Sequence, residues 1–201
     1  MEIVNMVESQ IIASIKEEKD IDKAIRSSAN IAFLLIGDIL TVKPYIEKLK
    51  EANMYIFIHL DFIEGLSNTK GAVKFVADVW NPTGIISTKT NMIRYAKEEG
   101  LVTIQRIFLI DRGALQKGIE MIKSCKPDAV EVLPGLMPRV IDQLSHQLKL
   151  PLIVGDSSRR RKISWMPLKP VPWLSHPVTR ICGNSTYRFT ISLMLSSTYE
   201  G

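Results

Sequence analysis

At 201 residues the chain is long enough for one domain with a sizeable core, yet short of the about 250 typical of a full eight-fold (β/α) barrel. Cys125 and Cys182 give neither a metal spacing nor a disulfide framework, no apolar stretch approaches the roughly 18 residues of a membrane span, and the chain opens on MEIVNMVESQ rather than a basic leader. A soluble protein of a reducing cytoplasm is expected. The formal net charge of +5 points to nucleic acid until it is divided at Gly155: residues 1–155 carry 19 Lys+Arg against 19 Asp+Glu, and residues 156–201 carry 7 against 2.

Along the chain, short apolar runs alternate with helix-like segments. A first strand is expected over 10–15 and a helix over 20–28 with Asp20 as N-cap. The run at 31–36 ends at Gly37-Asp38, and 42–52 has the pattern of an amphipathic helix with Ile46 and Leu49 on its apolar face. The next run, 55–60, is followed by helical spacing over 72–80, which Asn81-Pro82-Thr83-Gly84 interrupts before the run at 84–87. Strands over 102–110 and 129–133, and a seventh reached by Gly155, alternate with helices over 90–99, 112–124 and 138–148, the first ended by Gly100 and the others followed by Pro127 and Pro151. Strands alternating with helices imply a parallel sheet, and runs buried on both faces fit a closed barrel or an open doubly wound sheet. Both architectures place chemistry at the C-terminal ends of the strands.

The polar residues at those ends are the candidates. Alternation points His59 and Asp61 to one face, where they could bind a polar ligand or act as acid or base; a plain hydrogen bond between His59 and a carboxylate inside the barrel is the simpler alternative. Ser87-Thr88-Lys89 could hold an anion, or serve as an ordinary helix cap beside a solvated lysine. Gln105 and Arg106 lie within an apolar strand, and a buried arginine requires a carboxylate or phosphate partner, which Glu131 could supply internally. The Leu133-Pro134-Gly135 turn would let backbone N–H groups approach a ligand closely.

Taken in order, HLDFIEGL, GIISTK, QRIFLID, PDAVEVLPG and PLIVG resemble the glycerol uptake operon antiterminator regulatory proteins over residues 9–155. The resemblance implies a TIM-like (β/α) barrel that binds glycerol 3-phosphate and, so liganded, binds and stabilises leader mRNA so that transcription passes a terminator. It implies no enzyme activity, no metal and no cofactor beyond the effector. The expected ligand-binding residues are His59, Asp61, Lys89, Gln105, Arg106, Glu131, Gly135 and Gly155; Arg112 and Arg139 are the expected RNA contacts, and a homo-oligomer is compatible. The rival reading is a small barrel enzyme acting on a phosphorylated sugar or triose, with His59 or Asp61 as base and Lys89 as electrophile.

Beyond Gly155 the resemblance stops. The chain reads DSSRRRKISWMPLKPVPWLSHPVTRICGN, with four of its ten prolines between Pro167 and Pro177, where the family pattern has a glycine, a helix and an eighth strand ending in Ser/Thr residues. Back-translation with a shifted frame turns residues 163–172 into a pattern compatible with Ile-Met-Asp-Ala-x-Lys-Ala-Gly-x-Met, held in place by the single codons of methionine and tryptophan. The expectation is therefore a barrel of strands 1–7 over residues 1–155, incomplete because one base was lost near the Gly155 and Asp156 codons. Residues 156–201 would form an out-of-frame basic, Pro-rich tail, poorly ordered, and the first and seventh strands would be left with unpaired edges.

Overall fold

The computed structural model describes residues 3–8, 11–135, 138–148 and 150–155, and the backbone of residues 180–182, 185–187 and 189–194. The sequence period is realised as seven parallel strands: β1 Ile11–Ile15, β2 Ile31–Leu34, β3 Tyr55–His59, β4 Gly84–Ser87, β5 Val102–Phe108, β6 Ala129–Leu133 and β7 Leu152–Gly155. Helices α1 Lys19–Arg26, α2 Val42–Glu51, α3 Lys70–Phe75, α4 Thr90–Glu98, α5 Arg112–Cys125 and α6 Pro138–Leu148 connect them. This is the expected TIM-like arrangement.

Each strand is buried on both faces, so its two side-chain sets build two separate cores. Ala13, Ile15, Leu34, Ile56, Ile58 and Ile85 point outward and meet Ile21, Val42, Ile46, Leu49, Val73 and Ile93 of the helices. Ile12, Ile31, Phe33, Phe57, Ile86, Ile104, Ala129 and Ile153 point inward and fill the barrel. Phe33 and Phe57 meet edge to face with ring centroids 5.8 Å apart. Fully burying one such ring is worth roughly 1.5–3 kcal/mol. The ring of Phe57 lies where a side chain at Gly84 would stand: a Cβ there would fall 2.7 Å from Phe57 Cε1 and 2.2 Å from the Val102 carbonyl oxygen. The short 3-10 turn Ile3–Met6 joins this inner core through Ile3 and Met6, and Asn30 Nδ2 ties it down by donating to the Met6 carbonyl at 2.6 Å.

Several boundaries differ from expectation for local reasons. Asp20 is not the N-cap of α1; that place falls to Glu18, and Asp20 lies in the first turn, buried, with its carboxylate 3.1 Å from Lys23 Nζ. The helix expected over 72–80 is α3 followed by a wider π turn, Val76–Trp80, which ends at Asn81 in the left-handed region with φ 45°. β5 stops at Phe108, because Leu109 leaves the ladder although its N–H still donates to Leu133.

The expected open edges of β1 and β7 are corrected by the structure. The segment Phe189–Met194 lies parallel between them, pairing Phe189 with Leu152 and Ile191 with Val154 on one side and Ile11 with Ile191 on the other, so the sheet closes. FTISLM alternates apolar and polar residues, and two unpaired edges are a strong template for any strand-forming segment within reach. This strand begins more than thirty residues beyond Gly155, out of step with the strand–helix period of residues 11–155. Arg180–Cys182 and Ser185–Tyr187, β8 and β9, form a separate antiparallel pair, and Phe189–Met194 is β10. The poorly ordered stretch expected over the prolines from Pro167 to Pro177 lies outside the described residues.

Candidate functional site

The ladders pair Ser14 with Phe33, Phe33 with Phe57, Phe57 with Gly84 and Gly84 with Val102. In an eight-fold barrel strand tilt raises the level by about one residue per strand, so each interior layer draws on alternate strands. Ser14 of β1, His59 of β3, Arg106 of β5 and Gly155 of β7 therefore share the layer nearest the C-terminal mouth, with Glu131 of β6 one step below. Among the described side chains, those beneath are apolar. This layer is where the described polar side chains of the interior collect, and it faces the end where barrel sites form.

Arg106 and Glu131 are both almost fully buried and form a two-pronged ion pair, Arg106 Nε to Glu131 Oε2 at 2.6 Å and Nη2 to Oε1 at 3.1 Å. Burial pushes the Glu131 carboxyl above its ordinary pKa, and the guanidinium opposes that rise. The internal ion pair is thus realised, but it uses only one edge of the guanidinium. The Nη1 corner takes part in neither bond.

His59 is 1 % exposed, and among the described residues neither ring nitrogen has a hydrogen-bond partner. Asp61 Oδ2 lies 3.9 Å from His59 Nδ1, too far for a hydrogen bond. Burial, helped by the Arg106 charge, pushes the imidazole down to about 3, so the ring is neutral throughout the physiological range. The ring of Phe62, half exposed, packs edge-on against it with centroids 4.5 Å apart.

Asp61 is held by the next strand's loop. Its carboxylate accepts from Ser87 Oγ at 2.8 Å, from the Thr88 N–H at 2.7 Å and from Thr88 Oγ1 at 2.7 Å. Burial pushes its pKa up, but the Thr88 and Ser87 hydrogen bonds and the neighbouring His59 outweigh it and leave the carboxyl below its ordinary value. That arrangement straps the ends of β3 and β4 together and leaves a poor base. Lys89 stands at the rim, its ammonium 2.7 Å from Asn68 Oδ1 and 3.8 Å from Asp61.

Gln105 and Gly135 do not join the cluster in the way expected. Gln105 faces the helix layer: its amide nitrogen donates to the Ser87, Thr88 and Arg106 carbonyls, and its oxygen accepts from Cys125 Sγ at 3.5 Å. The Gly135 N–H, expected to reach a ligand, donates instead to the Gly155 carbonyl at 2.7 Å. Glycine is required there because a Cβ would fall 2.3 Å from Val154 Cγ1. Gly155 is similarly pressed by Leu133, and its absent side chain would stand 3.5 Å from Glu131 Oε1. The backbone puts Arg112 and Arg139 in the first turns of α5 and α6, on the mouth side of the barrel; their side chains lie outside what the structure describes. Ser14, Phe62 and Asn68 were missed. Ser14 was legible as the polar break, two residues after Ile12, in an otherwise apolar run, whereas no sequence signal brings Phe62 and Asn68 to His59 and Lys89.

A family model for the glycerol-3-phosphate responsive antiterminators matches residues 11–157. The chain belongs to this family. The match ends within two residues of Gly155, where the sequence pattern breaks. YgcP of Escherichia coli K12, an uncharacterised protein, is 34% identical over 148 residues, which cover 74% of this chain and 78% of that protein. The crystal structure of the glycerol uptake operon antiterminator regulatory protein of Listeria monocytogenes superposes with a TM-score of 0.75 at 29% identity, covering 80% of this chain and 86% of that one. A glycerol uptake operon antiterminator-related protein of Thermotoga maritima gives 0.64 at 31%, covering 73% and 81%. An aldolase at 12% identity and a TM-score of 0.51 covers 74% of this chain and 79% of that chain, and shares the fold alone. Among the described residues of this antiterminator-family chain, no helix is long and apolar enough to cross a membrane, and no group of three His, Cys, Asp or Glu could hold a metal.

Proposed function

We propose that this chain is an effector-gated RNA-binding regulator of the cytoplasm rather than an enzyme: glycerol 3-phosphate enters the barrel mouth, and the liganded form binds and stabilises the leader mRNA of a glycerol-utilisation operon. Beside the family match, the observation that carries this is the polar layer of His59, Arg106 and Glu131 over an apolar barrel floor. The spare Nη1 corner of Arg106 supplies charge and hydrogen-bond donors for a phosphate. The same layer is a poor catalyst, because the His59 ring is neutral and scarcely basic, the Asp61 lone pairs are taken up, and the Lys89 ammonium is engaged at the rim.

The mouth face also supports the RNA reading. It carries the helix starts at Arg112 and Arg139, and Phe62 and Phe108 are each about half exposed there, which suits phosphate contact beside base stacking. An RNA surface on the effector's own rim would couple the two ligands directly. The test is titration of the full chain with glycerol 3-phosphate, with and without leader RNA. Effector binding without turnover, and RNA affinity that rises with effector and falls steeply with salt, is the expected result. Turnover of the phosphate ester, or a borohydride-trapped imine on Lys89 in its presence, would establish the enzyme reading instead.

We also propose that the frame of residues 156–201 differs from that of residues 1–155. The end of the family match at residue 157 supports this, and so does the charge imbalance confined to the tail.

A further inference from the structure

Buried polar atoms in native proteins nearly always have a partner, and each one left alone costs about 1–3 kcal/mol. His59 breaks that rule twice on one ring. The groups around it do not relieve it. Asp61 is too far and already accepts from Ser87 and Thr88. Arg106 offers only donors and repels an imidazolium, and Glu131 is held by Arg106 in the layer below. Phe62 covers one flank with a ring edge and supplies no polar atom. A neutral imidazole has one donor and one acceptor. The two point to opposite sides of the ring, so a small ligand reaches one of them; an alcohol, which both donates and accepts, matches either, whereas a phosphate dianion or a ketone matches only the N–H.

We infer that His59 reads a hydroxyl of the effector through one of its ring nitrogens, and so makes the mouth select a hydroxylated three-carbon phosphate ester over a plain alkyl phosphate. The inference rests on the effector reading above and adds the residue that sets ligand preference. Arg106 draws in the anion, His59 recognises the polyol end, and Phe62 walls the carbon side. Such a division has the asymmetry expected of polar recognition, because an analogue lacking the hydroxyl leaves the ligand-facing His59 nitrogen buried and unpaired.

The experiment is calorimetric titration of the full chain and its His59→Phe and His59→Gln variants with glycerol 3-phosphate, 2-hydroxypropyl phosphate, 3-hydroxypropyl phosphate and propyl phosphate. The unmodified chain should prefer glycerol 3-phosphate over propyl phosphate by about tenfold or more, the factor that about 1.4 kcal/mol represents. His59→Phe should lose that preference while binding propyl phosphate about as before, and His59→Gln should keep part of it. A preference undiminished in His59→Phe overturns the inference and leaves the effector reading intact. Absence of binding by all four esters to the unmodified chain overturns both. Should His59→Phe fail to fold, nitrogen-15 spectra of histidine in the unmodified chain decide: glycerol 3-phosphate should shift a ring nitrogen of one buried histidine and propyl phosphate should not, and identical responses to the two esters overturn the inference.

Discussion

Replacing Arg106 with methionine tests whether the mouth is organised by its ion pair. The substitution keeps most of the side-chain volume and removes the guanidinium that faces Glu131, whose oxygens accept from it at 2.6 and 3.1 Å. Removing one partner of a buried pair leaves an uncompensated buried charge and costs about 3–5 kcal/mol. Against the roughly 5–15 kcal/mol of a typical domain, that is a fifth of the stability or more. The pH dependence follows from the sign of the Glu131 shift. Burial already holds its folded pKa above the unfolded one, and without Arg106 the rise is unopposed. The stability that a raised carboxyl contributes is present below its unfolded pKa and lost as pH rises through the folded one, so Arg106→Met should be crippled at pH 7 and much less affected near pH 4. Urea unfolding of Arg106→Met, Glu131→Leu and the double variant at both pH values measures this. The double variant should be clearly more stable at pH 7 than the sum of the single losses predicts, since replacing a whole buried pair by apolar groups is often nearly neutral. A cost below about 1 kcal/mol for Arg106→Met, or simple additivity, would refute the reasoning.

Four further outcomes are expected. Gln105→Met should lower stability by about 1–3 kcal/mol, because the Ser87 and Thr88 carbonyls lose their buried donor, yet leave glycerol 3-phosphate affinity unchanged; denaturant titration and calorimetry on one preparation separate the two effects. Gly84→Ala forces a methyl against the Val102 carbonyl and the Phe57 ring, and should lower thermal stability by an amount matching about 1–3 kcal/mol or more, recovered in part by Phe57→Leu. His59 makes stability rise with pH between about 3 and its unfolded value near 6.5, because the unfolded chain binds the extra proton in that window; His59→Gln should flatten that slope in an acid-unfolding series. For the tail, resequencing the genomic DNA across the codons for Val154 to Arg161 should reveal an extra base that restores a continuous family frame, and an unchanged reading would refute the shifted frame.

Much of the fold was legible because buried parallel strands write themselves as apolar runs. VTIQRIF and AVEVL needed only their length and flanking helices to be placed, and the two charges inside them, Arg106 and Glu131, foretold each other because neither can be buried alone. Site membership was less legible. Gln105 and Arg106 are adjacent in sequence and equally polar, but strand alternation sends one into the helix layer and the other into the barrel. His59 and Asp61 looked like a pair, yet the chain turns into a short 3-10 segment after His59, and Asp61 is captured by Ser87 and Thr88 of the neighbouring strand.

By itself, then, the sequence determined the alternation of strand and helix, the seven-strand count to Gly155, the family, and the position at which its pattern is lost, since each is written in local period and order. Only the tertiary structure decided which polar groups share a layer, that both nitrogens of His59 are left without a partner among the described residues, and that Phe189–Met194 lies between β1 and β7. Those depend on strand tilt, register and the demand of exposed ladder edges for hydrogen bonds, which act between residues far apart in the chain and leave no mark on local period.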